Sequence, residues 1–195
     1  MEKRGTTGAA DADRELVYAP PARGFHWATV LLVTILVPLG LYMVWRGNAT
    51  NFDAMTNTLY DTHKTIGFGL LCLIVARLIY RLRNGAPPDE PSLEPWQRVL
   101  SHLTHWGLYA LLLVIPALGW LGVSFYGARS LFGLVSLPPI SAKNEDTATL
   151  VFTLHYYAAM LLVLMVTAHV GAAIYHHVIR GDGVLRRMLP SLPRR

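Results

Sequence analysis

The sequence is poor in cysteine and in charge. Its single cysteine, Cys72, excludes an intramolecular disulfide and a thiolate metal cluster, and we expect it to be a small buried apolar side chain. Only 15% of the 195 residues are charged, whereas soluble domains carry about a quarter. The shortage of charge argues against a soluble protein.

Three long runs carry no charged residue: Phe25–Trp45, Val99–Ala128 and Thr147–Ile179. Each is longer than the ~20 residues that an α-helix needs to cross a bilayer. A fourth segment, Asp61–Arg83, is apolar in its middle and charged at its ends. The first run is too long for a signal peptide, so we expect it to remain as a helix. The sequence thus predicts an all-α integral membrane four-helix bundle, with helices at about 23–46, 61–83, 97–125 and 147–180.

Charged and proline-rich stretches mark the boundaries of this bundle. We expect an N-terminal tail at 1–22, a four-helix domain at 23–181 and a basic C-terminal tail at 182–195. The segments 47–60 and 126–146 are predicted loops, and NGAPPDEPSLEP at 84–95 has too many prolines to be helical. VLRRMLP, after helix 4, is predicted to be a short basic amphipathic piece at the membrane surface.

The net charge of +5 is compatible with nucleic-acid binding, but its distribution favours a membrane orientation instead. Most basic residues lie on one side of the predicted bundle: Lys3, Arg4, Arg14, Arg23, Arg77, Arg81, Arg83, Arg98, Arg180, Arg186, Arg187, Arg194 and Arg195. The other side carries Arg46, Lys64, Arg129 and Lys143. Because cytoplasmic loops are enriched in Lys and Arg, we expect both termini in the cytoplasm, the 46–62 and 127–147 connections outside, and no nucleic-acid partner.

Two histidines, His155 and His169, stand inside the apolar run of helix 4, where a polar side chain is costly. They are separated by 14 residues, about 21 Å along a helix, and project from nearly the same face. Depth in the membrane pairs His169 with His26, at the start of helix 1, and His155 with His63, at the start of helix 2.

Imidazole is a suitable ligand for iron, copper and zinc. Two axial imidazoles on a planar macrocycle suit haem b, and filling both axial positions favours electron transfer over oxygen binding. Zinc fits less well, because it needs four ligands around one point. The sequence therefore predicts two haem b groups, with His26, His63, His155 and His169 as axial iron ligands.

The remaining histidines leave several roles open. His102 and His105 share a face of helix 3, so they could compete with His26 as partners of His169, bond a haem propionate or border a quinone pocket. His176 and His177 are either a solvated helix end or proton donors at a quinone site on the inner side.

Two arginines and four outer cations are also candidates. Arg77 and Arg81 suit haem propionates but could equally extend to the lipid surface. The outer cations Arg46, Lys64, Arg129 and Lys143 are either ordinary loop residues or a positive field that attracts small anions such as superoxide. Four glycines either admit a flat ring or pack helices closely: Gly67, Gly69, Gly119 and Gly122.

Several motifs resemble the bacterial cytochrome b561 family of four-helix, di-haem b proteins of the cytoplasmic membrane. They are FHWATVLLV, THKTIG, ARLIYRLR, LSHLTHWGLY and LHYYAAMLLVLMVTAHVGAAIYHHVIRGDGVLRRMLP, and the resemblance spans about residues 20–190. In this family the chain is most similar to the superoxide oxidase type. The resemblance implies a multi-pass protein of the bacterial inner membrane that transfers electrons from superoxide to ubiquinone.

The family's ligand positions match His26 and His169 as one pair and His63 and His155 as the other. Lys64 departs from the superoxide oxidase pattern, which leaves the substrate open. One alternative function is a cytochrome subunit that passes electrons between a partner hydrogenase or dehydrogenase and the quinone pool. Another is a carrier of metal ions or protons without haem, which uses the membrane histidines.

Overall fold

The protein folds as four long antiparallel helices, which confirms the predicted all-α bundle. A computed structural model describes residues 17–192; the predicted roles of Lys3, Arg4, Arg14, Arg194 and Arg195, and most of the 1–22 tail, lie outside them. The helices are α1 (Pro20–Thr50), α2 (Ala54–Asn84), α3 (Pro95–Tyr126) and α4 (Glu145–Tyr175). All four are long and apolar enough to cross a membrane.

The predicted loop at 47–60 is wrong, because most of it is helical. Helix α1 continues to Thr50, and α2 begins at Ala54 rather than near residue 61. The tight connection depends on Asp53, whose carboxylate accepts from the Thr56 N–H at 2.8 Å and from the Arg46 guanidinium at 2.6 Å. A capped helix start allows polar residues to remain helical beyond the apolar run.

The predicted loop at 126–146 contains a small hairpin, β1 (Ser130–Leu131) and β2 (Val135–Ser136), which pair antiparallel. Asn144 caps α4 by accepting from the Thr147 N–H at 2.9 Å. The end of the bundle with this hairpin, Thr50, Ala54, Tyr126 and Glu145 is called the hairpin end. The opposite end, with Pro20, Asn84, Pro95 and Tyr175, is called the terminal end.

Large apolar side chains cover the outside of the bundle. Leu82, Leu103 and Leu164 are each about two-thirds exposed, which a soluble protein would rarely allow but a bilayer favours. Cys72 was expected to be buried, and this is wrong: it is exposed on α2. Helix α2 therefore directs Cys72 outward, where lipid provides the apolar surroundings that the side chain needs.

The buried core lies between the two ends of the bundle. It contains Leu36, Leu70, Ile74, Leu112 and Leu162. Leu162 stands seven residues from His155 and seven from His169 along α4. An apolar layer therefore separates the histidines of the two ends.

The chain after α4 folds back across the terminal end. A π-helical turn, His176–Arg180, is followed by Gly181 at φ 65° and by a 3-10 turn, Leu185–Arg187. The Tyr18 N–H donates to the Arg187 carbonyl at 3.1 Å, and the Trp27 indole donates to the Met188 carbonyl at 3.3 Å. The short basic piece predicted here thus packs against the start of α1.

Candidate functional site

At the hairpin end, α2 and α4 bring His63 and His155 together. Their ring centroids are 6.2 Å apart, with an interplanar angle of 71°. The Nδ1–H of His155 donates to the Ile115 carbonyl at 2.8 Å, which leaves its Nε2 with a free lone pair. The buried Nδ1 of His63 has no hydrogen-bond partner in the described part of the chain. Both rings thus offer a nitrogen for a ligand that the protein itself does not supply.

Two glycines make room for these rings. A Cβ at Gly40 would lie 3.0 Å from Cε1 of His63, and a Cβ at Gly119 would lie 3.4 Å from Cε1 of His155. Among the other predicted glycines, Gly122 faces Phe152, and nothing lies within 4 Å of a Cβ at Gly67. The same holds at Gly69.

Gly40 was missed as a site residue, because a glycine near Pro38 inside an apolar helix suggests only a bend. No local signal in α1 shows that it faces a histidine of α2.

At the terminal end, His169 lies between two other histidines. Its ring centroid is 6.4 Å from that of His26, at an interplanar angle of 67°. It is 5.3 Å from that of His105, at 78°. His105 also donates from Nδ1 to the Ser101 carbonyl at 2.7 Å. Both predicted partners of His169 are therefore close to it, at different separations.

These separations distinguish the pairs. A metal–imidazole bond of about 2.0 Å, with the centroid about 1.15 Å beyond the nitrogen, places two axial rings about 6.3 Å apart. The pairs His26/His169 and His63/His155 have this spacing within 0.1 Å, whereas 5.3 Å for His105/His169 is too short. Within residues 17–192, no three His, Cys, Asp or Glu side chains converge as a metal site. The donor sets therefore fit a metal with two axial imidazoles better than a tetrahedral zinc ion.

Arg77 lies beside the terminal-end pair. Its guanidinium donates to Nδ1 of His26 at 3.1 Å and to the Thr29 hydroxyl at 3.3 Å. It also lies over the Tyr109 ring, 5.2 Å from the centroid. Arg81, the other propionate candidate, lies over the Tyr18 ring at 6.0 Å. Arg77 is thus next to a predicted ligand, and Arg81 lies about one turn nearer the end of α2.

The quinone candidates His102, His176 and His177 do not share one environment. His102 is exposed and contacts Asp89 at 3.2 Å. Nδ1 of His176 lies 2.6 Å from the Asp182 carboxylate, and both side chains are nearly buried, at 11% and 7% exposure. Asp182 also forms an ion pair with Arg180 at 3.4 Å. His177 is half-buried.

Asp182 was missed by the sequence reasoning. The GDG stretch at 181–183 indicates only the end of α4, and the fold-back over the π-helical turn is what brings the carboxylate to His176.

Three of the four outer cations are paired with carboxylates. Arg46 contacts Asp53 at 2.6 Å, Lys64 contacts Asp61 at 2.6 Å, and Lys143 contacts Glu145 at 3.0 Å. Lys64 also donates to the carbonyls of Ser130 at 2.6 Å and Ala128 at 3.2 Å, so it ties the hairpin to α2. Arg129 donates to the Leu137 carbonyl at 3.0 Å and has no ion pair among the described residues.

The carboxyl group of Asp53 has a lowered pKa. The largest cause is the hydrogen bond from the Thr56 backbone N–H, followed by the Thr56 hydroxyl, and the charge of Arg46 adds to both. Asp53 is therefore ionised at neutral pH, and its carboxylate forms an ion pair with Arg46.

Comparison with known proteins shows the family of the chain. The family described as Prokaryotic cytochrome b561 matches residues 17–191. Cytochrome b561 homolog 2 of Escherichia coli K12 is 31% identical over 173 residues, covering 88% of this chain and 90% of that protein. The Probable superoxide oxidase CybB of Yersinia pestis is 29% identical over 174 residues, covering 86% and 93%.

The match extends over both histidine pairs and all four helices. The protein therefore belongs to the prokaryotic cytochrome b561 family, whose members are multi-pass membrane proteins that transfer electrons and bind b-type haem.

Proposed function

We propose that this protein oxidises superoxide at the hairpin end and reduces ubiquinone at the terminal end, using two b-type haems. Two superoxide anions each lose one electron and leave as O2, while one quinone gains two electrons and two protons. The observation that carries the proposal is the pair of histidine couples, one at each end, with the spacing of two axial imidazoles. The similarity to a probable superoxide oxidase supports the choice of substrate.

In this proposal His63 and His155 hold one haem, and His26 and His169 hold the other. Haem iron with two imidazole ligands supplies reversible one-electron transfer. His155 is set for ligation through Nε2, because its Nδ1–H is fixed on the Ile115 carbonyl. The two sites are about 21 Å apart along α4, and Leu162 and its neighbours keep the space between them apolar.

Ligation at His26 requires Arg77 to change its partner. A guanidinium only donates, so its contact with Nδ1 makes that nitrogen an acceptor and places the proton of a neutral imidazole on Nε2. Holding a metal through Nε2 would need the opposite tautomer, in which Nδ1 carries the proton. Arg77 would then give up His26 while Thr29 and Tyr109 still hold it, and its guanidinium would be available to an anionic group of the cofactor.

Capture of superoxide is assigned chiefly to Arg129. The carboxylates beside Arg46, Lys64 and Lys143 reduce the field that these cations project. Arg129 has no ion pair among the described residues, and it lies next to the hairpin that Lys64 holds against α2.

Quinone reduction at the terminal end needs a proton source. His176 and Asp182 form a short, nearly buried pair that can pass protons inward from the surface. His105 borders the same end next to His169, and His102, with its exposed contact to Asp89, is the weaker candidate. We assign the quinone contact to the side of His105 and His176.

The terminal end is assigned to the cytoplasm and the hairpin end to the outside of the inner membrane. Among the described residues, the terminal end carries Arg23, Arg77, Arg81, Arg83, Arg98, Arg180, Arg186 and Arg187. The hairpin end carries four basic residues, three of them paired with carboxylates. This asymmetry follows the preference of cytoplasmic segments for Lys and Arg.

A second candidate is a cytochrome subunit that exchanges electrons with a partner dehydrogenase or hydrogenase. The pairing of three outer cations favours it, because a neutralised mouth attracts small anions weakly. The two candidates differ in their electron donor and not in their haem sites.

A superoxide pulse given to the oxidised, haem-loaded protein tests the proposal. Rapid reduction seen in the visible spectrum, followed by reoxidation when ubiquinone is added, is the expected result. Haems that dithionite reduces but superoxide does not would favour the partner subunit.

A further inference from the structure

The chain segments at the terminal end form an open, largely apolar pocket, lined by two arginines, outside the two histidine pairs. It lies where residues 17–20 cross residues 186–190, and the Tyr18–Arg187 and Trp27–Met188 hydrogen bonds hold this crossing. Its volume is about 370 Å³, and Tyr18, Pro20, Arg23, Arg186 and Pro190 are among its lining residues. The pocket therefore lies between segments that hydrogen bonds hold together.

Two arginines line the pocket without a protein partner for their Nε atoms. The Nε atoms of Arg23 and Arg186 are both buried, and neither donates a hydrogen bond to an acceptor within the described residues. None of the pocket's lining residues is acidic. A buried guanidinium nitrogen without an acceptor is costly, and two like charges around one pocket repel each other. The pocket thus has the donors and the charge for an anion that the described residues do not provide.

Further positive charge surrounds the same place. The guanidinium groups of Arg81 and Arg187 lie over the Tyr18 ring, at 6.0 Å and 5.4 Å from its centroid. The Tyr18 ring therefore forms an apolar wall of the pocket, and the guanidinium groups of Arg81 and Arg187 add positive charge beside it. A guanidinium presents a planar fork that matches phosphate oxygens.

We propose that this pocket binds a phosphate-bearing anion between Arg23 and Arg186. The pocket lies at the start of α1, at the end of a candidate membrane span, and Val17, Pro20 and Pro190 give it an apolar rim. Basic pockets at the cytoplasmic ends of membrane helices suit acidic lipid headgroups. The expected source of the phosphate is an anionic phospholipid, and free phosphate is the alternative source.

The test is native mass spectrometry of the delipidated, haem-loaded protein, titrated with phosphatidylglycerol, phosphatidylcholine or inorganic phosphate. We compare R23Q, R186Q and the double variant with R83Q, which removes one exposed charge elsewhere at the same end. Each pocket variant is expected to weaken phosphatidylglycerol binding about fivefold, and the double variant more, whereas R83Q changes it less than about twofold. Phosphatidylcholine, without net charge, binds more weakly.

Other outcomes decide the source or reject the site. Binding of inorganic phosphate that depends on Arg23 and Arg186, without selective lipid binding, assigns the pocket to free phosphate. Equal binding of phosphatidylglycerol by the double variant and by R83Q overturns the proposal. If a glutamine variant loses haem, R23K and R186K replace it; they keep the charge but lose the fork, and intermediate affinity is expected.

Discussion

Nδ1 of His155 on α4 lies 2.8 Å from the carbonyl oxygen of Ile115 on α3. This hydrogen bond crosses between helices and fixes both the orientation and the tautomer of the ring. It is possible because Gly119, one turn after Ile115, leaves the ring space. A hydrogen bond to α3 and the absence of a side chain at Gly119 thus orient the proposed ligand His155 on α4.

Replacing His155 by alanine is expected to remove the hairpin-end haem and to leave most of the terminal-end haem. The reason is that the pair with His63 loses one of its two donors, while His26 and His169 lie beyond the apolar core. The haem-to-protein ratio is measured by pyridine haemochrome and should fall by about half. H102A is the control, because His102 is exposed and contacts Asp89. Full haem content in H155A would show that His155 is not a ligand.

Replacing Gly40 by alanine is expected to disturb the same haem without removing a donor. The new methyl group would lie 3.0 Å from Cε1 of His63, tighter than side chains normally approach, so the ring must shift. We expect a changed midpoint potential or reduced content of the hairpin-end haem in a redox titration. G67A is the matched control, since nothing lies within 4 Å of a Cβ there. An identical titration for G40A and G67A would contradict the proposed orientation of His63.

Replacing Arg129 by glutamine is expected to slow reduction by superoxide about threefold at low ionic strength. The rate should also become less dependent on salt, because a steering charge acts through a field that salt screens. Stopped-flow spectroscopy at several salt concentrations measures both effects. R83Q removes the same charge at the opposite end and should leave the rate unchanged. Equal rates for R129Q and the unmodified protein at low salt would remove Arg129 from anion capture.

Replacing Asp182 by asparagine is expected to slow quinone reduction several-fold while reduction of the haems by superoxide keeps its rate. The amide cannot hold the proton that the His176–Asp182 pair would pass on. Reoxidation by ubiquinone after a superoxide pulse separates the two steps, and its solvent deuterium isotope effect should also change. D89N is the control, because it alters the exposed contact with His102 at the same end. Equal slowing by D182N and D89N would argue for a general charge effect.

Replacing Asp53 by asparagine is expected to lower the melting temperature by a few degrees, because the amide keeps the cap of α2 but removes the charge that pairs with Arg46. The pKa of Asp53 is lowered in the folded protein. Its stabilising contribution is therefore complete above the unfolded value of about 3.9 and is lost as pH falls through the folded value. The melting temperatures of D53N and the unmodified protein should converge below about pH 4. A constant difference down to pH 2 would contradict this role.

The ends of the first connection show where a prediction from the sequence fails. The apolar run stops at Trp45, so hydropathy places the boundary there, yet α1 and α2 are separated only by residues 51–53. The Asp53 cap and its contact with Arg46 decide this boundary. Hydropathy measures how favourably side chains transfer from water into the membrane, and it does not include such hydrogen bonds.

The sequence by itself determined the four spans and the separation of His155 and His169 along the last helix. An uncharged run long enough to cross a bilayer forms a helix there, because a helix satisfies its own backbone hydrogen bonds. A rise of 1.5 Å per residue then gives the distance between the two histidines along the helix. Only the tertiary structure decided which side chains meet. Gly40 facing His63, Asp182 reaching His176 and the outward position of Cys72 all depend on how helices rotate and how the chain folds back. These contacts join residues distant in the chain, and no local pattern of residue types records them.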